Sequence, residues 1–154
     1  MKPIVYLAGP VLGQTAVQAM MWREHCADIF DDCGIRAISP VRAERPVNSL
    51  RFTAGDDKWR GVAALGAKCW FDVKRADAVL AYLPDSDDLS IGTVIEIGWA
   101  KALEKPVVLV TNDEVLKAHP ILRWCCVWIE PSIDDGVLRI EELLGGYTAG
   151  GKNV

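Results

Sequence analysis

The sequence predicts an α/β protein, a doubly wound sandwich with about five parallel strands. Three observations carry this expectation. Short runs such as Ala78–Leu83 and Lys105–Val110 are apolar almost without a break, as strands buried on both faces are. Stretches with helical periodicity separate these runs. Glycine and proline punctuate the joins, at Gly9-Pro10, Gly34 and Lys105-Pro106.

Taken in order, Pro3 to Ala8 reads as a first buried strand, with Tyr6 its one polar-tipped member. A helix is expected from about Thr15 to Cys33, with Val17, Met20, Met21, His25, Ile29 and Phe30 as its apolar stripe and Gly34 closing it. Ile35–Ser39 is the second strand. Strand, helix and strand imply a parallel pair joined by a right-handed crossover. Residues 40–61 have no periodicity and carry Pro40, Arg42, Arg45, Pro46, Arg51, Lys58 and Arg60. A long irregular loop in a small domain is often functional, although a solvated surface loop reads the same way. A helix over Val62–Arg75 and a central strand over Ala78–Leu83 follow, with Asp77 suited to bonding backbone between them. Next come a helix from Ser90 to Leu103, a fourth strand over Lys105–Val110, and a loop with one short helix over 111–124. Cys126–Ile129 is the fifth strand. Asp134–Leu144 is the last helix, with Val137, Leu138, Ile140, Leu143 and Leu144 turned inward. Residues 1–145 make one domain of Rossmann/flavodoxin-like architecture, and the glycine-rich 146–154 a flexible tail.

Composition narrows the function. A chain of 154 residues can bury a real core. A net charge of -4 argues against a nucleic-acid polymer as partner. No apolar run reaches transmembrane length, and the N-terminus reads as a strand rather than a signal peptide, so no membrane partner and a cytoplasmic setting are expected. The five cysteines, Cys26, Cys33, Cys69, Cys125 and Cys126, are odd in number and lack CxxC spacing. They read as reduced thiols without a zinc site. The first strand–helix turn has no GxGxxG and the chain no Walker A motif, so no dinucleotide cofactor is expected. Asp85, Asp87 and Asp88 read as a solvated loop rather than a metal site.

Ligands of such sheets bind beyond the carboxyl ends of the strands. That rule gathers Tyr6, Gly9, Pro40, Arg42, the acidic loop with Ser90, and His119 at one edge. Ser90 is a good N-cap for the helix that follows. Gly92 leaves room at its first turn, where free amides and the dipole suit an anion or a polar oxygen. Glu96 is the odd residue. Its helix neighbours Gly92, Thr93, Trp99 and Ala100 include no cation to pair with it. Such a carboxylate either sits at the rim of the sheet or is kept for chemistry.

Three segments, in this order, resemble the nucleoside 2-deoxyribosyltransferase family: Tyr6-Leu7-Ala8-Gly9-Pro10, the stretch Phe71–Leu80, and Ser90-Ile91-Gly92-Thr93-Val94-Ile95-Glu96-Ile97-Gly98-Trp99-Ala100. The resemblance covers roughly residues 3–145. The same superfamily includes hydrolases of deoxynucleoside 5'-monophosphates. The resemblance implies that Glu96 is a nucleophile that attacks the anomeric carbon of the sugar. The base leaves, and a second base or water takes its place. A carboxylate suits a retaining displacement through an oxocarbenium-like transition state.

The resemblance further implies that Tyr6 orients Glu96, that Gly9 and Pro10 line the base pocket, and that Ser90 and Gly92 hold the 5' end of the sugar. Arg42 belongs with the basic residues expected to face the ligand. The family usually has a carboxylate, aiding protonation of the leaving base, where this chain has Cys69. Asp72, one turn on, is expected to take over that role, or else to pair with Arg75 or Lys68. Ser90 suits a phosphate and an N-cap equally, whereas transferases of free nucleosides often have aspartate there. No cofactor and no metal are implied. The implied partners are a nucleoside or nucleotide, a nucleobase, and further copies of the chain. Residues 115–128 are the candidate edge for such a homo-oligomer. Six tryptophans, Trp22, Trp59, Trp70, Trp99, Trp124 and Trp128, are more than one small core needs and fit an interface or base stacking. Cys69 also motivates the alternative of a protein that binds a nucleotide and releases no base.

Overall fold

Strand β1 (Ile4–Ala8) lies inside a sheet whose other strands are β2 (Arg36–Ile38), β3 (Ala78–Tyr82), β4 (Val107–Val110) and β5 (Trp128–Glu130). All pairs are parallel, and the order is β2-β1-β3-β4-β5. The computed structural model describes residues 1–42 and 62–145. The expected loop residues 43–61, with Arg45, Arg51, Lys58 and Arg60, and the expected tail 146–154 lie outside the described residues.

Helices α1 (Ala16–Asp32), α2 (Val62–Arg75), α3 (Ile91–Ala102), α4 (Glu114–Ala118), α5 (Pro120–Cys125) and α6 (Ile133–Leu144) connect and cover the strands. Alternation along the strands divides the core into two layers. Val5, Leu7, Leu80, Val108 and Val110 face α1 and α6, where Cys26, Phe30, Val137 and Ile140 meet them. Tyr6, Ala8, Val79, Ala81, Val107 and Leu109 face the other side, against Val73, Ile97, Ala100 and Leu122. The expected doubly wound five-stranded sandwich is therefore the observed one.

Several expectations need correction in detail. The buried stripe of α1 is Ala16, Ala19, Arg23, Cys26 and Phe30, whereas Val17, Met21 and His25 are exposed. A charged residue on the core stripe makes the helix read as rotated. Leu138 is exposed rather than inward, because Gly136 takes the inward place on α6. A methyl group there would lie 2.4 Å from Val110. Strand β4 starts two residues later than expected, after Pro106, whose carbonyl accepts from the Val79 amide at 3.0 Å. Strand β5 starts later because the Cys126 amide still closes α5 on the Leu122 carbonyl. The 111–124 stretch holds two short helices, with Pro120 opening the second.

The sheet order turns in opposite directions from β1 and β3. The carboxyl ends of these strands part there, the point at which ligands bind in such sheets. Asp77 bonds backbone as expected: it accepts from the Ile4 amide at 2.7 Å and ties the start of β1 to the start of β3.

Candidate active site

Helix α3 begins beside this crevice. Ser90 caps it, accepting from the Thr93 amide at 3.4 Å, and its hydroxyl lies 2.8 Å from the Thr93 hydroxyl. Thr93 is itself buried. Gly92 has open space where a side chain would be. Glu96 lies about a turn and a half further along the helix.

Glu96 is only 8% exposed. Its Oε1 accepts from the hydroxyl of Tyr6, on β1, at 2.7 Å. The Cys69 thiol, on α2, lies close enough to both to act on their titration. Burial raises the Glu96 pKa, and the donors Tyr6 and Cys69 and the charge of Arg23 pull it back down. Burial and the neighbouring carboxylate push the Tyr6 hydroxyl far up, so it stays protonated and donates. The same two causes push the Cys69 thiol up to about 11, so it too keeps its proton. The centre is thus a buried acid facing two groups that keep their protons, Tyr6 and Cys69.

The end of β1 is held from behind by Arg23 of α1, which is 2% exposed. Its guanidinium donates to the carbonyls of Leu7 (3.4 Å), Gly9 (2.8 Å), Pro10 (3.4 Å) and Ala19. It also stacks on Trp22. Gly9 is required by this packing, since a Cβ would lie 2.4 Å from the Trp22 ring. Reading the sequence missed Arg23. The available signal was its spacing, seven residues after Ala16 and seven before Phe30 on one helix face.

Asp72 is fully buried and paired with two arginines. Arg75 meets Oδ1 at 2.8 Å, and Arg42 grips both oxygens, with Nη2 3.2 Å from Oδ1. The pairing with Arg75 is one of the two roles expected of Asp72, with burial in place of the surface setting. Lys68 instead donates to the Pro40 carbonyl at 2.6 Å. Arg42 also donates to the Ser39 carbonyl at 2.9 Å.

Two cavities open near these residues. One of about 220 Å³ is lined by Pro10, Gln14, Leu83, Ser90, Asp88 and Asp113 among others. It joins the end of β1, the acidic loop and the start of α3. The other, about 260 Å³, lies between α1 and the end of β2, with Arg23, Glu24, Ser39 and Arg42 in its wall. Of the expected site residues, Tyr6 and Glu96 meet directly with Cys69 beside them, and Pro10 and Ser90 share the first cavity. Arg42 belongs to the second cavity, and Gly9 and Gly92 line neither. His119 is exposed and caps α5 without a side-chain bond. Gln14 and Asp113 in the first cavity were not anticipated. Among the described residues, no group of three His, Cys, Asp or Glu side chains could hold a metal ion, and no helix is long and apolar enough to cross a membrane. The five cysteines are free thiols.

Comparisons with known proteins identify the fold and the family. No curated protein matches the sequence. Among solved structures, the 2-deoxyribosyltransferase of Bacillus psychrosaccharolyticus superposes with a TM-score of 0.63 at 20% identity, over 86% of this chain and 88% of that one. A CMP N-glycosidase of Clostridium botulinum gives 0.58 at 18%, over 92% and 99%. A molybdenum cofactor carrier protein of Chlamydomonas reinhardtii gives 0.60 at 16%, over 94% and 99%. At these identities the likeness is one of fold. The family profile described as nucleoside 2-deoxyribosyltransferase matches residues 5–137, most of the sequence and all of the Tyr6, Cys69 and Glu96 centre. The chain therefore belongs to the nucleoside 2-deoxyribosyltransferase family.

Proposed function

We propose that the protein cleaves the N-glycosidic bond of deoxynucleosides and passes the sugar to another base through a glycosyl ester on Glu96. The observation that carries this reading is the buried hydrogen bond from Tyr6 to Glu96. It fixes a carboxylate, with one oxygen engaged, near the crevice of the sheet. In the first step a Glu96 oxygen bonds to the anomeric carbon as the carbon–nitrogen bond breaks and its electron pair leaves with the base. In the second step a nitrogen of the incoming base attacks the same carbon, and Glu96 departs as a carboxylate. Tyr6 steadies the oxygen that does not attack.

Gly9 and Pro10 shape the base side of the pocket, Ser90 and Gly92 bind the 5' end, and Arg42, held by Asp72, contacts the base or sugar from the β2 side. Asp72 has both oxygens on guanidinium groups, which favours it as the anchor of Arg42 over the expected proton donor. Hydrolysis of 5'-monophosphates is the second reading, supported by the serine at the start of α3. The cavity there favours an uncharged 5' end: Asp88 and Asp113 line it, and no lysine or arginine does among the described residues. Binding without base release is the third reading, and Cys69 supports it.

The exposed apolar side chains Trp70, Phe71, Ile95, Ile121 and Trp124 on α2, α3 and α5 support a second copy of the chain as partner. Free thiols suit a reducing, cytoplasmic setting.

The test is base release from a panel of deoxynucleosides and their 5'-monophosphates, with and without an acceptor base, alongside Glu96→Ala. Exchange on free nucleosides that vanishes in the variant supports the transferase. Acceptor-independent release from monophosphates alone replaces it with the hydrolase. No release from any substrate leaves the binding protein.

A further inference from the structure

Arg23 is the buried cation of the described residues. Its hydrogen-bond acceptors are four main-chain carbonyls, so no carboxylate neutralises it directly. Arg42 and Arg75 differ in this respect, since both are paired with Asp72. A guanidinium at this depth carries a large desolvation cost, and its own pKa falls to about 10. Three of its four acceptors, Leu7, Gly9 and Pro10, belong to the end of β1 just beyond Tyr6. The side chain therefore spans α1 and the strand that carries the tyrosine of the Tyr6–Glu96 pair.

We propose that Arg23 is a positioning residue for Glu96, which holds in place the end of β1 just beyond Tyr6 and sets a buried, unneutralised positive charge behind the Tyr6–Glu96 pair. The inference rests on the reading of Glu96 as nucleophile for its purpose, though not for its physics. The groups acting on Glu96 are Tyr6 from β1, Cys69 and Asp72 from α2, and Arg23 from α1. Strands β3 and β4 are aliphatic where they pack against α3. Helix α5 carries Arg123 and Cys125, and Lys101 on α3 itself is turned to the Trp124 ring. Tyr6 and Cys69 are neutral donors, and Asp72 disfavours a second negative charge. Arg23 is thus the full positive charge that favours ionised Glu96. The charge also favours release of the carboxylate when the glycosyl ester is broken.

The experiment follows the Glu96 carboxyl carbon by NMR across pH, with the resonance assigned by its loss in Glu96→Gln. It compares wild type with Arg23→Gln, which keeps an amide donor without charge, and Arg23→Lys, which keeps the charge. The Glu96 midpoint is expected to rise by about one unit in Arg23→Gln and to stay near wild type in Arg23→Lys. The acidic limb of kcat/KM for base release is expected to move with it. An unmoved midpoint in folded Arg23→Gln overturns the proposal. If Arg23→Gln does not fold, a displaced midpoint in Arg23→Lys overturns it. A wild type that releases no base refutes the enzymatic reading and leaves the titration result to stand or fall separately.

Discussion

The Tyr6 hydroxyl and the Glu96 carboxylate, ninety residues apart in sequence, share a buried hydrogen bond of 2.7 Å. A neutral donor to a buried carboxylate stabilises its charge and fixes its orientation. Hydrogen bonds to charged groups contribute about 1.5–3 kcal/mol. Tyr6→Phe is expected to lower the rate of base release by about 10–100-fold while the far-ultraviolet circular dichroism stays unchanged. A rate within twofold of wild type would show that Tyr6 only fills the core.

Burial sets the folded-state pKa of Glu96 above its unfolded value near 4.5. The folded state therefore binds this proton more tightly than the unfolded one. The stability so contributed is complete below the unfolded value and is lost as pH rises through the folded one. Glu96→Gln should abolish base release yet melt higher at neutral pH, by about 2–4 °C, the shift that ~1 kcal/mol produces in a domain of this size. The difference should shrink below pH 4.5. A difference that is flat with pH would refute this account of the burial.

Cys69 lies near enough to Glu96 and Tyr6 to feel both but cannot share a proton as a carboxylic acid can. In Cys69→Asp two carboxylates would occupy one site, and one of them would be forced to hold a proton near neutral pH. That proton is then available to the leaving base. Release of bases that depart poorly is expected to rise about tenfold, within the range of general-acid catalysis. The check is the initial rate across bases of differing basicity. An equal or lower rate for all of them would rule out a missing acid.

Asp72 separates two roles by temperature and rate. Asp72→Asn leaves Arg42 and Arg75 without their shared anion. Because both cations are about a third exposed, the loss is set at about 2 kcal/mol, below the cost of breaking a fully buried pair. The melting temperature should fall by about 4–8 °C. Below that transition the turnover number should hold within a few-fold, with KM raised through the loosened Arg42. Collapse of the turnover number with KM unchanged would restore Asp72 as the proton donor.

The two glycines of the site are expected to respond oppositely. Gly9→Ala drives a methyl group into the Trp22 ring, 2.4 Å away, and should destabilise the fold. Gly92→Ala meets nothing within 4 Å and gains up to about 1 kcal/mol of helix propensity. It should therefore melt no lower than wild type but raise KM, because the methyl group occupies the approach to Ser90. Melting curves and KM for the two variants decide this.

Much of this was legible from residues alone. Apolar runs and glycine punctuation located all five strands and the four long helices, since buried parallel strands leave little room for polar side chains. Glu96 stood out for want of a helical partner. The Tyr6 contact needed the family resemblance, because hydrogen bonds across ninety residues have no periodicity. Arg23 was hidden for the reason that makes it informative: a buried arginine satisfied by carbonyls leaves no acidic partner in the sequence to betray it. The roles of Asp72 and Arg42 depended on a crossing of α2 and the end of β2 that spacing does not encode.

Strands β1 and β3 lie side by side, yet α1, β2 and α2 separate them along the chain. During synthesis β1 can pair with β2 well before β3 exists, and α3 emerges later still. Tyr6 must therefore wait, with its hydroxyl unpaired, until Glu96 has been made and docked. Long-range parallel pairing of this kind forms slowly. Gain of activity in a refolding time course thus reports completion of the central sheet, and a truncated chain ending before α3 would hold a tyrosine with nothing to orient.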